Sequence, residues 1–510
     1  MTTTVNANGN AYTDDSDPNT GMGNYGWRKR LLPMLSDVMV DVGAKLLNIT
    51  GIQTDVTSRQ ASASTAANTA STAANTATQQ AAIAVAAANT AAGIMQSVDV
   101  VDRAGIPPII DFPFSGQAAV PAGVITGSSG KWVWAQNGLL TYVPAGSAPI
   151  EYDPATGALR GLVVEGARTN LLLRWSDFTT VWGGAVTVTP DTNVAPDGSV
   201  TADTLTATGA GFLSRQQTVT VANDTAIRVA SAWFRKTTGA TVFPGFQILY
   251  AGGVLKVGSG TLNTNTGIFT PRPGEPPAGI GVEDCGAYWR VWVSLANNAT
   301  GSVNCSVSIY PGASTDGVTW VAGMTGSAVV WGAMLEAGSA PSSAIPTTTA
   351  PVTRAADVMT IQLSSIPGWN SAEGTIYVEQ QWDDMPQSAN IGVDDGSGAN
   401  VIYLRTGSAL GGSPGSADML VNVAGVEVLD SSGPTLANGV THRQAMAFGA
   451  GSYALCADGG AVTTAAVAMP SGLSRLLLAD GSQYLGRRWV KRVVVLPRRR
   501  PSPTLQLMTA

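Results

Sequence analysis

Histidine is almost absent from this chain: His442 is the single example in 510 residues. A Ser-His-Asp triad would have to run through it, and a metal site built from several histidines cannot form. Cysteine is nearly as scarce. Cys285, Cys305 and Cys456 are odd in number and lack the spacing of a zinc or redox pair, so they are expected as buried thiols and not as a disulfide framework. Charged residues make up 12% of the chain against a usual ~25%. The net charge of −6 gives no case for nucleic acid as partner, because phosphate neutralisation needs clustered Lys and Arg. No segment offers about 18 uninterrupted apolar residues, and the N-terminus lacks the basic start and apolar core of a signal peptide. Neither membrane insertion nor classical secretion is expected.

What is present is glycine, 59 residues of it, with long runs of Thr, Ser and Ala. That composition favours turns and strands, and the length calls for several domains. Residues 1–33 read as a flexible polar arm ending in an amphipathic docking patch, Trp27-Arg28-Lys29-Arg30-Leu31-Leu32-Pro33.

Residues 34–98 turn helical. Ser64-Thr65-Ala66-Ala67-Asn68-Thr69-Ala70 recurs one heptad later as Ser71-Thr72-Ala73-Ala74-Asn75-Thr76-Ala77. Its a row reads Val42, Ile49, Val56, Ala63, Ala70, Ala77, Ala84, Ala91 and Val98, and its d row includes Ile52, Ala66, Ala73, Ala87 and Ile94. An uncharged seam of small residues has little to bury alone, so a coiled-coil stalk of three copies is expected.

Beyond Val98 short alternating apolar segments such as Tyr288-Trp289-Arg290-Val291-Trp292-Val293 stand between turn clusters, at the spacing of β-sandwiches. A Pro-rich connector near 338–352 divides them. The expected fold is mainly β: the helical stalk, a β-rich shoulder at 99–169, and two antiparallel β-sandwich domains at 170–345 and 346–510.

The segment from Ile150-Glu151-Tyr152-Asp153-Pro154 through Arg160-Gly161-Leu162 to Glu165-Gly166-Ala167-Arg168-Thr169-Asn170-Leu171-Leu172 resembles one common in tail-fibre and tailspike-like proteins of bacteriophages and prophages. Val330-Trp331-Gly332-Ala333-Met334-Leu335-Glu336 is similar to that family's closing jelly-roll strand, with Met334 where Gln is common. The resemblance implies a jelly roll like carbohydrate-binding modules, then a concanavalin-like or laminin-G-like sandwich ending in Arg488-Trp489-Val490-Lys491-Arg492. The family's last helix often opens on Asp-Ala-Glu; here Arg500-Pro501-Ser502-Pro503-Thr504 stands instead.

What this implies for function is a homotrimeric tail fibre, assembled in the bacterial host cytoplasm and carried on the virion. It would dock onto other tail or baseplate proteins through its N-terminus and attach to a bacterial surface polysaccharide. Sugars stack on aromatic rings and are fixed by Asp, Asn and Arg. The candidate glycan-binding residues are Trp182 and Trp320, set among Gly, Thr and Asp, and in the last domain Trp382, Asp394 and Asp395. Trp233, Trp289 and Trp331 are expected in the core. His442 reads as a structural strand-edge residue, and the basic run from Arg487 to Arg500 as a solvated strand and tail. The Asp-Gly turns at 392–398 explain themselves without calcium, so no metal or cofactor is expected. No enzyme is expected either: no long repetitive pattern of a parallel β-helix is present, and paired carboxylates across a cleft are not visible in spacing. The rival readings are a head or baseplate fibre without a ligand and a depolymerase tailspike.

Overall fold

The computed structural model describes residues 4–7, 10–13, 26–114, 127–383, 389–406, 415–481 and 487–510; within the long helix the side chains of 26–32, 71, 72, 75, 78, 79 and 81–103 lie outside the described set. The expected docking patch at 27–33 therefore falls largely outside it, as do the side chains of the seam residues Ala84, Ala87, Ala91, Ile94 and Val98. The chain forms two compact units, Met1–Ile83 and Ala84–Ala510.

In the first unit the expected flexible arm contains an antiparallel hairpin, Thr4–Ala7 paired with Asn10–Thr13, whose Asn10 amide donates to Asp37 at 2.8 Å. The helix runs Gly26–Ala104, longer at both ends than its heptads. Thr is a weak helix former, but here Thr50, Thr54, Thr57, Thr65 and Thr69 each donate their hydroxyl to the carbonyl four residues back, which satisfies it within the helix. The seam residues Val42, Ile49, Ile52, Val56, Ala63, Ala66, Ala70, Ala73 and Ala77 are all solvent-exposed in this chain, Ile49 by 60%. Among the described residues no helix is long and apolar enough to cross a membrane.

The second unit is mainly β. One sandwich faces a six-stranded antiparallel sheet, in the order Gly279–Cys285, Tyr288–Ala296, Ile227–Arg235, Gly326–Ala337, Val200–Ala207 and Thr187–Val194, against a five-stranded one built on Asn304–Ser314 and Phe243–Ala251. Alternating inward residues such as Phe234, Phe246, Ile248, Val291, Val307 and Val330 fill the space between them. Trp233 and Trp331 are buried as expected, and with Trp175 they form an edge-to-face trio with centroids 4.4–6.1 Å apart. Gly332 has φ +65°, and a methyl there would come within 2.7 Å of Trp233, so glycine lets the closing strand bend under these rings. Trp289 is half-buried, its indole N–H bonded to the Thr264 carbonyl.

The second sandwich pairs a six-stranded sheet with an eight-stranded one. The eight-stranded sheet corrects the expected shoulder. Ile110–Phe112, Ile150–Tyr152 and Leu159–Glu165 do not stand apart but join it, Leu159–Glu165 and Ile110–Phe112 each pairing with the C-terminal strand Arg487–Leu496. The reason lies in their apolar faces: Ile110, Leu162 and Val164 enter the same core as Val490, Val493 and Val495. A helix does follow, Ser502–Thr509, starting just after Pro501 with no side-chain cap, with Pro in its first turn and buried through Leu505 and Met508. The three cysteines are free and buried.

Between the sandwiches the residues that carry the family resemblance do structural work. Arg168–Asn170 pairs with Val352–Arg354, and the Asn170 side chain donates to the Ile345 carbonyl while accepting from the Leu172 and Leu335 amides. Glu165 accepts from Arg354 at 2.6 Å and from the Ser343 amide and hydroxyl; Lys131 lies 3.6 Å from it and pairs closely with Asp357. Burial works against ionising Glu165, but Arg354 and Lys131 outweigh it and bring its pKa down to about 2.

Candidate functional site

A cleft of about 590 Å³ opens where the two sandwiches meet, within the usual range of ligand sites. The first sandwich contributes Glu283, Asp284 and Trp292 from its edge hairpin; the second contributes Gln381, Asp383, Arg487, Trp489 and Lys491; Asp153 and Arg160 enter from the hairpin between Ile150–Tyr152 and Leu159–Glu165.

Two of its cations are aimed by β-bulges. Tyr152 pairs with Leu159 and Glu151 with Gly161, so Arg160 is an extra residue with no opposite. Glu379 pairs with Arg492 and Gln380 with Val490, which leaves Lys491 extra in the same way. A bulge re-aims the side chain at the point where pairing breaks. Lys491 is accordingly the one residue of Arg487–Leu496 that is not buried.

The guanidiniums are fully committed. Arg160 reaches Glu283 at 2.6 Å and Asp153 at 3.0 Å; Arg487 reaches Asp383 at 2.8 Å and Glu283 at 3.2 Å. Both lie over the Trp489 ring, 5.5 and 5.2 Å from its centroid, and the Trp489 indole N–H donates to Glu151 at 2.6 Å. Burial opposes the charge on Glu283, yet Arg487 and Arg160 hold its carboxyl far below the usual range. At Glu151 burial wins over the same two arginines and raises the pKa. Burial also lowers the pKa of Lys491.

Trp292 supplies the flat apolar surface. It is half-buried, and its indole crosses Gly279 and Gly281; a methyl on Gly281 would lie 2.3 Å from the ring. Only hydrogen at that position lets the indole lie down on the neighbouring strand.

The expected glycan-binding residues fall elsewhere. Trp182 is 3% exposed and packs on Phe178 at 4.9 Å, and Trp382 is fully buried, stacked on His442 at 5.2 Å. Asp394 is fully buried, paired with Arg475 and accepting the Tyr403 hydroxyl at 2.7 Å. These three placements correct the expectation, because core neighbours occupy the ring faces and oxygens that a sugar would need. Trp320 is half-buried among Tyr310, Phe212 and Arg272, whose guanidinium lies 4.7 Å from its ring. Asp395 sits in its turn accepting from Ser397 and Asn400, with its pKa brought to about 2 by those bonds against the effect of burial. No side-chain contact joins these five into one site among the described residues.

The basic run is not a solvated strand: Arg487, Arg488 and Arg492 are buried, Arg492 in a pair with Asp111 at 2.7 Å. His442 is buried on its strand, bonded to Asp458 at 2.6 Å and to the Ala437 backbone.

No family model and no curated protein matches the chain. Solved structures do. It is similar to the Ruminococcus gnavus IT-sialidase CBM40 bound to α2,6 sialyllactose, at 16% identity over 29% of this chain and 91% of that one, TM-score 0.24. It is similar to the Trypanosoma rangeli sialidase in complex with the inhibitor DANA, at 11% identity over 30% of this chain and 26% of that one, TM-score 0.24. A third is the enzymatically active domain of bacteriophage CBA120 tailspike protein 4, at 12% identity over 33% of this chain and 21% of that one, TM-score 0.19. The activities and ligands in these descriptions belong to those proteins. The expectation that the chain is not an enzyme is corrected: sialidases and an enzymatically active tailspike domain stand among the similar structures, and the exclusion of catalysis is withdrawn.

Proposed function

We propose that this chain is a fibre protein of a phage or prophage particle and that the cleft between its sandwiches binds a glycan of the bacterial surface. The observation that carries the reading is Trp292, a flat indole face beside Gln381, Asp383 and Lys491, which is the combination of apolar ring and polar groups that sugar recognition requires. The exposed seam of the long helix supports three copies packed along it, with the docking segment at 1–33 holding the trimer to tail or baseplate proteins of the virion. Three linked sites would raise weak binding by a factor of about 10² to 10⁴ when they engage together.

The test is a titration of the full chain on intact host cells with extracted surface polysaccharide as competitor. Saturable, competed binding that Trp292→Ala removes is the expected result. Binding absent from cells that the parent particle infects would leave a structural fibre without a ligand, and a translucent halo on a bacterial lawn would show that the glycan is cut. Light scattering of the full chain should give three times the 52.1 kDa of one copy, and a value of 52.1 kDa would overturn the trimer.

A further inference from the structure

Lys491 stands apart from every other charged group of the cleft. Arg160 has three carboxylates within 4.0 Å and Arg487 two, and Asp284 is paired with Lys236 at 2.5 Å. Lys491 has no carboxylate within 4 Å among the described residues; its ammonium donates to one neutral group, the Thr441 hydroxyl, at 2.6 Å. Glu379, on the neighbouring strand, favours the Lys491 charge from beyond 4 Å and is shared with Arg443, 4.0 Å from it, and burial outweighs that help. An ammonium withdrawn from water with no carboxylate in contact is costly, and a fold tends to avoid it unless something else supplies the anion.

Its position is also built. The extra residue of the bulge between Glu379 and Gln380 turns Lys491 out of a strand whose other nine residues are buried and into the cleft. Each carboxylate of the cleft already touches a cation, Asp153, Glu283 and Asp383 sharing the two guanidiniums and Asp284 taking Lys236, so Lys491 is the cation of the wall that an incoming anion meets without a carboxylate in contact.

We propose that the cleft selects an acidic glycan, with a ligand carboxylate or phosphate seated on the Lys491 ammonium beside the Thr441 hydroxyl. The inference rests on the cleft being the glycan site and adds the class of ligand. Losing a charge-assisted hydrogen bond of this kind lowers affinity about tenfold or more.

The experiment is an array of uronate-, sialate- and phosphate-bearing bacterial glycans, each printed beside its carboxyl-reduced or dephosphorylated neutral form and probed with the full chain. Expected is binding to acidic members, weakened about tenfold or more in the neutral partner, with the same loss on Lys491→Gln and complete loss on Trp292→Ala. Binding that requires Trp292 but ignores both charge removal and Lys491→Gln would overturn the inference and leave the cleft as a neutral-sugar site. Binding indifferent to Trp292→Ala, or none at all, would overturn the cleft reading and the inference with it. The unsubstituted chain on matched pairs decides the question even if a variant folds poorly.

Discussion

Arg487 ties the two sandwiches together through Glu283, with Nη2 3.2 Å from Oε2, while its Nε holds Asp383 of its own sandwich at 2.8 Å. Arg160 completes the chain from the other side of Glu283 at 2.6 Å. Asp383, Arg487, Glu283, Arg160 and Asp153 thus alternate in sign across the junction, each in contact with a neighbour of opposite charge. Removing one member of a buried pair leaves the other desolvated and unpaired, which costs about 3–5 kcal/mol. Arg487→Ala should therefore lower the unfolding free energy by about that amount and open the 279–285 edge to proteolysis. Urea unfolding with limited proteolysis measures both, and an unchanged midpoint would show that the junction does not depend on this pair.

The Glu165 network predicts an acid limit. Its folded pKa of about 2 lies below the ordinary 4.5, so the unfolded chain binds the proton more readily. Its contribution is fully present above the unfolded value and is lost as pH falls from there through the folded one. The shift is worth about 3 kcal/mol. Thermal melting between about pH 5 and pH 2 should show this loss, and Glu165→Gln should be less stable at neutral pH but flatter across the window. Parallel curves for the two proteins would remove Glu165 from the account.

His442 predicts the opposite slope. Burial pulls its pKa down, but the bond to Asp458 outweighs that and raises it above the ordinary 6.5. A raised folded pKa gives stability that is complete below the unfolded value and disappears as pH climbs through the folded one. Melting temperatures of the chain and of His442→Asn should converge as the pH rises from about 6 to 9. A gap that stays constant would mean that His442 contributes packing on Trp382 and no titrating charge.

The parts legible in sequence were those with a local period. The heptads at Ser64–Ala70 and Ser71–Ala77 announce a helix, and alternating runs such as Tyr288–Val293 announce strands. Which way a tryptophan turns is another matter. Trp182 is surrounded in sequence by Thr, Gly and Val, yet its ring folds onto Phe178, a contact that depends on the loop's path. Trp382 and Asp394 mislead in the same way, since their partners His442 and Arg475 lie far along the chain. The cleft residues Arg160 and Lys491 carry no local mark, because their direction comes from bulges that exist only once distant strands pair.

Gly161 is where those two bulges meet. It sits next to Arg160, opposite Glu151, at φ +125°, and a methyl there would lie 2.7 Å from the Val490 carbonyl oxygen and 3.2 Å from the Lys491 Cα. These are backbone atoms of the C-terminal strand, so no side chain can swing aside to make room. Gly161→Ala should force the strands apart at Leu162 and Val490, costing about 1–3 kcal/mol, and should displace Lys491 from the cleft. The expected outcome is a lower melting temperature together with weaker glycan binding, whereas Ala at the open Gly146, which also has positive φ but nothing within 4 Å, should lower stability without touching binding. Native affinity in Gly161→Ala would show that the bulges do not set the aim of the cleft's cations.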